Sequence, residues 1–340
     1  MALDLAIGQR RLGHEVMAIG LAPGPLRRDF VAAGVDVRTM FKRGGFDAQL
    51  LARLAFVLRT AKVDVVHTHN PQALIYGAPA GRLASARVVH TKHGANPDNA
   101  RRLWLRRAAG ALTHAYVSVS ALTAEVAAAN REAPASRRHT IPNGIDLDRF
   151  YPDAADRAAI RAELGIPADA FVFGTVGRVA VEKNQALLLR AAAPLLDAKT
   201  HLIVVGDGAE MPMLAQLARD LPSVHLVGAR RDVPNLLRAF DVFALSSVTE
   251  GLPLVLPEAM ATGLPLISTA VGGIPAVIDA DLGLLVPPSD EAALRHALTT
   301  LHQDREKAVR FGARAREQAL SKYSATRMVA DYLRVYRSGL

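Results

Sequence analysis

The chain has 340 residues, of which 50% are hydrophobic, and a formal net charge of +9 with no cysteine. This length predicts about two globular domains, and the lack of cysteine excludes disulfide bonds and thiolate chemistry. The charge is uneven, since residues 1–145 carry 20 Lys+Arg against 9 Asp+Glu while residues 146–340 carry 21 against 23, so the first half is expected to meet an anionic partner.

No basic-then-apolar leader opens the chain. The longest weakly charged run, Leu252 to Ile278, has Glu258 as its only charge and holds four prolines and three glycines. Such a run predicts buried pieces of strand and helix and argues against a membrane span. The composition also fits a reducing compartment. We therefore expect a soluble, cytoplasmic chain, and a place at the inner face of the membrane stays open.

The first half alternates β-branched runs with helical patterns, which predicts a parallel sheet with helices on both faces. A helix over Leu3–Arg11 opens the chain, and Gly13 ends it. The elements expected after it are a helix over Gln49–Ala61 and strands over His14–Leu21, Val35–Met40, Val63–His69, Ala86–His93, Tyr116–Ser120 and Arg138–Pro142.

Four histidines are expected at the ends of neighbouring strands, namely His67, His69, His90 and His93. Imidazoles gathered in this way could ligate zinc, but no carboxylate or cysteine joins them at ligand spacing, so no metal site is predicted. His69 and the following Asn70 could line a ligand cleft. For each histidine the alternative is a strand-end side chain that is satisfied by backbone groups.

A strongly basic segment surrounds the only tryptophan. It runs from Asn99 to Ala108 and contains Arg101, Arg102, Trp104, Arg106 and Arg107. Arginines with Trp and Leu between them on a short helix suit contact with an anionic membrane. The alternative is a solvated basic face with Trp104 packed inward. No nucleic-acid partner is predicted, because no recognised nucleic-acid module accompanies the charge.

The segment Ile141–Phe150 carries a proline followed by Asn-Gly, which predicts a turn between two domains. Asp146 and Asp148 within it form a D-x-D pattern that could bind a metal ion. We discount this metal site, because the pair falls in a linker and does not follow a strand.

The second half repeats the alternation, with a strand over Phe171–Arg178 and a helix over Asn184–Leu196 that Asn184 is expected to cap. Arg178 and Lys183 lie on the loop between them. They are placed to clamp a pyrophosphate, the arginine bidentately and the lysine as a point charge. Further strands are expected over His201–Gly208, Val224–Gly228, Asp241–Leu245 and Leu266–Val271, with helices from Asp290 onward.

The tight exit Gly206-Asp207-Gly208 is a G-x-G whose third fingerprint position holds Met211 instead of glycine. This counts against a dinucleotide-binding dehydrogenase.

The stretch Ser246–Ala261 follows a predicted strand and carries two carboxylates, Glu250 and Glu258, eight positions apart. Ionised carboxylates offer only acceptors, so they suit hydroxyl groups and not an anionic phosphate. A helix pattern starts after Gly251 and Pro253, and helix-start N–H groups favour phosphate. The stretch therefore predicts a polyol holder beside a phosphate-binding helix start, which together fit a nucleotide sugar.

This E-x7-E spacing, together with Gly177-Arg178-x4-Lys183, resembles the signature of the retaining GT-B glycosyltransferases of family 4. The N-G-I-D pattern at residues 143–146 and the G-G-x-P turn at residues 272–275 match the same family, and the resemblance runs over nearly the whole chain. It implies an α/β fold with two Rossmann-like, doubly wound domains facing a cleft. The expected boundaries are 1–145 for the acceptor-side domain, 146–315 for the nucleotide-sugar domain and 316–340 for a last helix packing back on the first domain.

The resemblance also implies the activity, which is transfer of a sugar from a nucleotide diphosphate sugar to an acceptor hydroxyl, with retention and without metal or cofactor. The acceptor would belong to a cell-surface polysaccharide, a lipid-linked glycan or a glycolipid. The implied catalytic residues are His93, Arg178, Lys183 and Glu250. The implied donor-binding residues are Gly177, Arg178, Lys183, Arg230, Glu250, Gly251, Leu252, Pro253, Leu254 and Glu258.

One departure from the family concerns the first domain. Related chains begin with a strand and a glycine-rich loop ahead of the first helix, and neither is in this sequence. Either the start lies upstream of Met1 or a central strand has been lost. Two other functions stay open, a nucleotide-sugar 2-epimerase of the same architecture and a non-catalytic nucleotide-sugar-binding protein.

Overall fold

The structure is a computed structural model that describes residues 1–94 and 100–338. The chain divides into two compact units. Unit 1 comprises Met1–Gly144 and the segment from Ala325 onward, and unit 2 comprises Ile145–Ser324. The division falls inside the segment predicted as the crossing between domains. None of the helices in the described ranges has the length and apolar content that a membrane span needs.

Helices and strands alternate along the chain. The helices are α1 (Ala2–Arg11), α2 (Arg27–Ala32), α3 (Ala48–Thr60), α4 (Pro71–Leu83), α5 (Ala100–Ala111), α6 (Ala121–Ala129), α7 (Ala154–Glu163), α8 (Gln185–Ala192), α9 (Met211–Leu217), α10 (Val233–Ala239), α11 (Val255–Ala261), α12 (Glu291–Gln303), α13 (Arg305–Lys322) and α14 (Ala325–Arg337). The strands are β1 (Met17–Gly20), β2 (Asp36–Thr39), β3 (Val65–His69), β4 (Arg87–Lys92), β5 (Ala115–Ser118), β6 (Arg138–Thr140), β7 (Phe171–Val176), β8 (Thr200–Val205), β9 (Val224–Leu226), β10 (Val242–Leu245), β11 (Leu266–Thr269) and β12 (Gly283–Val286).

Unit 1 holds a parallel four-stranded sheet in the order β3-β4-β5-β6 with helices on both faces. Successive side chains of a strand point to opposite faces. Val88 of β4 accordingly packs with Leu74 of α4 in one cluster, whereas Val89 packs with Leu5 of α1 and Tyr332 of α14 in another. The C-terminal helix α14 is therefore part of the core of unit 1.

The strands β1 and β2 form a separate parallel pair. Among the described residues, β1 is hydrogen-bonded only to β2, and β3 only to β4. Side chains bridge the two sheets, because Leu54 of α3 belongs to a cluster that also takes in Ile19 of β1 and Val66 of β3. The strand that the resemblance implies ahead of α1 is not in the sequence, and no described strand joins β1 to β3.

Unit 2 is built on a parallel six-stranded sheet in the order β12-β11-β10-β7-β8-β9. Its two faces are covered by separate apolar clusters, one containing Phe243 of β10 and Leu256 of α11, the other Val242 of β10 and Leu188 of α8. The chain reverses its direction of strand addition between β9 and β10, so the carboxyl ends of β7 and β10 form a topological switch point, where ligands of such sheets bind.

The last domain boundary differs from the expectation. A single helix, α13, continues through residue 316 as far as Lys322, because Ala315 and Ala319 on its inner face are part of the unit 2 core. The return to unit 1 comes at Ala325. The final two residues of the predicted 316–340 segment lie outside the described residues.

Candidate functional site

The stretch predicted as the polyol holder folds as strand, loop and helix. The strand β10 ends at Leu245, Ser246 and Ser247 follow in buried positions, and α11 begins at Val255. The loop between them carries Glu250, and Glu258 lies half-buried in the first turn of α11. The loop therefore lies at the carboxyl edge of the unit 2 sheet, beside the positive end of the α11 dipole.

The carboxylate of Glu250 is held by two side chains. Its Oε1 lies 2.5 Å from Nζ of Lys183 and accepts a hydrogen bond of 2.7 Å from Oγ of Ser247. The side chain of Glu250 is 7% exposed and that of Lys183 is 22% exposed. The structure thus brings together two of the predicted catalytic residues, 67 positions apart in the chain, as a largely buried ion pair.

Two serines fasten this ion pair to the sheet, and the sequence analysis missed both. Oγ of Ser246 donates to the backbone oxygens of Lys183 and Asn184 at 3.1 and 2.8 Å. The backbone oxygen of Ser247 accepts from Oγ1 of Thr269 at 2.6 Å. A polar Ser-Ser pair directly after an apolar strand was the available signal, since buried hydroxyl groups need partners.

A glycine turn supports the other side of the Glu250 loop. Gly273 donates its N–H to the Gly251 oxygen at 2.8 Å. Gly272 has a φ of +58°, and a Cβ on it would overlap the backbone oxygen of Glu250. The predicted backbone requirement of the G-G-x-P turn is therefore confirmed, and it acts on the Glu250 loop itself.

Replacing Gly272 with alanine is expected to shift the Glu250 loop, because neither the positive φ nor the close backbone approach tolerates a Cβ. We expect a loss of at least about tenfold in turnover together with a loss of about 1–3 kcal/mol in stability. Urea unfolding and initial rates measure the two effects. Gly24→Ala is the matched control, since a Cβ at Gly24 meets no atom within 4 Å. Wild-type turnover in Gly272→Ala would show that the turn does not position Glu250.

The loop at residues 177–184 follows β7 and carries both predicted phosphate-binding cations. Arg178 points to solvent and forms an ion pair with Glu182, four residues later. Its backbone oxygen accepts from Nε2 of Gln185 at 2.9 Å. Asn184 occupies the position before α8, but with a φ of +49° its side chain makes no capping hydrogen bond. The prediction of an Asn184 cap is wrong, because the left-handed backbone turns the side chain away from the helix start.

The exit of β8 packs closely on the same loop. A Cβ on Gly206, which has a φ of +137°, would overlap the backbone oxygen of Gly177, and one on Gly208 would overlap that of Val179. The G-x-G pattern of this segment therefore serves close backbone packing beneath the cation loop.

Arg230, which the resemblance implies as a donor-binding residue, is engaged by two carboxylates. Its guanidinium lies 2.6 Å from Asp232 and 2.7 Å from Glu163. The hydrogen bonds that its guanidinium donates to these two carboxylates, that to Asp232 first, raise the pKa of Arg230 above its usual range. The side chain thus bridges two acids in a local ion-pair network, and its role in donor binding stays a prediction.

Three of the four predicted histidines meet near the carboxyl ends of β3 and β4 in unit 1, whereas His90 bonds to Thr68 and packs on Tyr116. His67 lies 2.7 Å from the hydroxyls of both Tyr336 and Thr91, and Nδ1 of His69 lies 3.0 Å from Nε2 of His93. No three histidine, aspartate or glutamate side chains within residues 1–94 and 100–338 are placed to share a metal ion. The implied role of His93 toward a donor sugar stays a prediction.

Acid is expected to destabilise the fold through His67. Burial, and then the charges of His90 and His93, lower the pKa of His67 to about 3. The unfolded chain, with a histidine pKa of about 6.5, binds the proton first, so stability is complete above about pH 6.5 and falls as the pH drops towards 3. The slope from this one group is at most about 1.4 kcal/mol per pH unit. Urea unfolding at pH 7.5, 6 and 5 measures it. His67→Asn should flatten the slope by one proton, and an unchanged slope would contradict the assignment.

The basic segment of α5 is arranged differently from either predicted form. Trp104 is 65% exposed, so inward packing of the tryptophan is wrong. Arg106 is buried instead and lies 3.3 Å from Glu132, so its inclusion in a membrane-facing set is also wrong. Arg101, Arg102 and Arg107 are exposed as predicted. Asn99, the first residue of the segment, lies outside the described residues.

Comparison with known families and proteins agrees with this fold. The family model Glycosyltransferase Family 4 matches residues 1–149, and the model Glycosyl transferases group 1 matches residues 170–304. A D-inositol 3-phosphate glycosyltransferase of Xylanimonas cellulosilytica is 33% identical over 98% of this chain and 89% of its own length. The UDP-Gal:alpha-D-GlcNAc-diphosphoundecaprenol alpha-1,3-galactosyltransferase of Escherichia coli is 32% identical over 76% of this chain and 71% of its own length.

Two solved structures show the same fold. Anabaena Alr3699/HepE in complex with UDP superimposes with a TM-score of 0.88 at 22% identity, covering 99% of this chain and 95% of that chain. WaaG, a glycosyltransferase involved in lipopolysaccharide biosynthesis, gives a TM-score of 0.71 at 19% identity with the same coverage of 99% and 95%. Two Rossmann-like units, the family models and these relatives lead to one conclusion: the chain belongs to glycosyltransferase family 4 and is a glycosyltransferase of the GT-B fold.

Proposed function

We propose that the protein transfers a sugar from a nucleotide diphosphate sugar to an acceptor hydroxyl with retention at the anomeric carbon and without a metal ion. The observation that carries the proposal is the buried ion pair of Lys183 and Glu250 at the switch point of the unit 2 sheet. A cation and an acceptor carboxylate side by side match the two parts of a donor, its diphosphate and its sugar hydroxyls.

Both members of the ion pair keep hydrogen-bonding groups that can contact a nucleotide sugar. The ammonium of Lys183 has three N–H donors, so it can keep its bond to Glu250 and donate to a phosphate oxygen as well. Both contacts of Glu250 use Oε1, and its Oε2 takes part in neither, so that oxygen can accept from a sugar hydroxyl. Glu258, eight residues on, is assigned to the ribose hydroxyls.

Departure of the nucleoside diphosphate builds charge on its phosphates, and fixed cations stabilise that charge without reorganisation. Lys183 is fixed by Glu250 and by its backbone bond to Ser246. Arg178, exposed on the same loop, provides a second cation once it exchanges Glu182 for a phosphate. In this proposal the two side chains take the place that a divalent metal occupies in other transferases.

The names of similar proteins support the choice of substrates to test first. The Escherichia coli relative is named for UDP-Gal and a diphosphoundecaprenol-linked acceptor, and HepE is described in complex with UDP-glucose. We accordingly assign a UDP-sugar as donor and a lipid-linked glycan, polysaccharide or glycolipid as acceptor, at the inner face of a membrane. The exposed Arg101, Arg102, Trp104 and Arg107 of α5 support that location.

A thermal-shift screen of UDP-, GDP- and ADP-sugars tests donor binding, because ligands that bind only the folded state raise its stability. The selected donor is then incubated with lipid-linked acceptors in excess EDTA, and the anomeric configuration of the product is read by NMR. Retention with undiminished rate in EDTA is expected. Change of the donor without any acceptor would indicate a 2-epimerase. Binding of nucleoside diphosphate without turnover would indicate a non-catalytic protein.

A further inference from the structure

Three phenylalanines of unit 1 stand out from the rest of the chain. Phe41, Phe46 and Phe56 are 61%, 68% and 68% exposed, and they fall within 16 consecutive residues. The other seven phenylalanines are buried or, at Phe30, half-buried. We name these three side chains the phenylalanine patch. A cluster of exposed aromatic side chains marks a surface that contacts another protein or a membrane.

The loop that bears the first two phenylalanines is held in place by its own contacts. The ring of Phe46 stacks on Tyr76 of α4 with centroids 5.7 Å apart. The hydroxyl of Tyr76 accepts from the N–H of Asp47 at 2.9 Å, and Nζ of Lys42 donates to the Gly45 oxygen at 2.8 Å. The buried carboxylate of Asp47 accepts from the N–H of Arg43 at 3.0 Å and caps α3. The aromatic rings are therefore presented outward by an ordered loop.

The third phenylalanine shares their surface. Arg53 on α3 donates to the backbone oxygen of Phe41 at 3.3 Å, so the loop lies against that face of the helix. Phe56 follows Arg53 by three positions, which places it on the same face one turn further on. The patch thus combines side chains of the loop with a side chain of the helix face against which the loop lies.

The exposed charges of the segment that bears the patch are all positive. Residues 41–62 contain five basic side chains, Lys42, Arg43, Arg53, Arg59 and Lys62, and their only acid is Asp47. Asp47 is buried and its carboxylate is used within the loop. Exposed aromatic rings among exposed cations match an anionic lipid surface, in which rings enter the boundary of headgroups and acyl chains and cations meet lipid phosphates.

We propose that the phenylalanine patch inserts into the surface of an anionic membrane and that the four exposed cations of its segment, Arg43, Arg53, Arg59 and Lys62, bind the lipid headgroups. This surface is separate from the exposed side chains of α5. The inference rests on the proposed function, because membrane attachment places the protein at the surface where a lipid-linked acceptor is found. Attachment itself requires no turnover.

The test is co-sedimentation of the full chain with vesicles, in three variants. The patch variant combines Phe41→Ser, Phe46→Ser and Phe56→Ser. The control variant combines Val309→Ser and Leu320→Ser, which are 73% and 45% exposed in unit 2. The third variant is Trp104→Ser on α5. Vesicles contain either phosphatidylcholine alone or phosphatidylcholine with 30% phosphatidylglycerol, and circular dichroism checks the fold of each variant.

We expect the wild type and the control variant to bind the anionic vesicles and to be released by high salt, and the patch variant to bind at least tenfold more weakly. Wild-type binding by the patch variant would overturn the proposal. So would loss of binding confined to Trp104→Ser, which would move the membrane surface to α5. A change from dimer to monomer in the patch variant without lipid would assign the patch to a second copy instead.

Transfer to a water-soluble acceptor separates this inference from the proposed function. The patch variant should turn over such an acceptor like the wild type. If vesicle binding fails while this turnover stands, only the membrane surface is refuted. If turnover is absent while vesicle binding stands, the proposed function fails and the membrane surface remains.

Discussion

Replacement of Lys183 by alanine is expected to lower the turnover number by a factor of about 10²–10³ while the protein stays folded. The change removes the cation that lies 2.5 Å from Glu250 and that is assigned to the diphosphate of the leaving group. It also leaves the Glu250 carboxylate with Ser247 as its remaining contact among those described above. Loss of charge stabilisation at the leaving group should lower turnover more than it weakens donor binding.

Glu250→Gln tests the other half of the pair with little change in shape. The glutamine keeps one acceptor oxygen and adds N–H groups, so Lys183 loses its charged partner. We therefore expect both the binding of the nucleotide sugar and the turnover number to decrease. The control is Arg190→Ala on α8 of the same unit, which removes an exposed ion pair with Glu291 of α12. Initial rates with saturating acceptor measure all three variants. Undiminished turnover in Lys183→Ala or Glu250→Gln would refute the roles given to these side chains.

Replacement of Glu132 by alanine is expected to reduce the free energy of unfolding by about 3–5 kcal/mol. Glu132 is completely buried between two cations, with Oε1 lying 3.1 Å from Nζ of Lys92 and 3.3 Å from Arg106. Tyr116 donates a short hydrogen bond to its Oε2. Without the carboxylate, two buried positive charges lose the counter-ion that they share, and removing one side of a buried ion pair costs far more than removing a surface pair.

The lowered pKa of Glu132 also indicates that its carboxylate stabilises the folded protein. Burial by itself would raise the pKa of this carboxyl, but hydrogen bonds from Tyr116 and Asn130 and the charge of Lys92 hold it below its usual value. The carboxylate therefore adds stability at neutral pH that is lost as the pH falls below about 4.5. Chemical unfolding at pH 7 measures the mutational loss. Glu125→Ala, on the exposed face of α6, is the matched control and should change stability by less than about 0.5 kcal/mol. An equally small change in Glu132→Ala would contradict the assigned role of the cluster.

The regular elements of both units could be predicted because their signals are local. The strand expected over Val63–His69 is β3 at Val65–His69, and that expected over Phe171–Arg178 is β7 at Phe171–Val176. The structure leaves Val63 and Asp64 out of the first strand and Gly177 and Arg178 out of the second, so each observed strand ends within two residues of its prediction. The sequence did not predict helix α4, because it contains Gly77 and Gly81, which are poor helix formers. These two glycines let β3 and β4 pack closely against the helix.

The candidate site could be predicted in part for the same reason. Glu250 and Lys183 lie on recognisable loops at strand ends, and parallel strands bring such loops to one edge of the sheet. That the two side chains pair with each other was not predictable, because 67 residues separate them and each motif was interpreted alone. Arg106 shows the same limit, since a basic run does not reveal which arginine turns inward to meet a distant Glu132.

The donor assignment is tested most directly by the structure of a complex with a non-transferable UDP-sugar. The account predicts that Nζ of Lys183 lies within about 2.7–3.2 Å of a diphosphate oxygen and that Glu250 accepts a hydrogen bond from a hydroxyl of the sugar. A complex in which the diphosphate binds elsewhere, with Lys183 and Glu250 contacting only each other and Ser247, would contradict it.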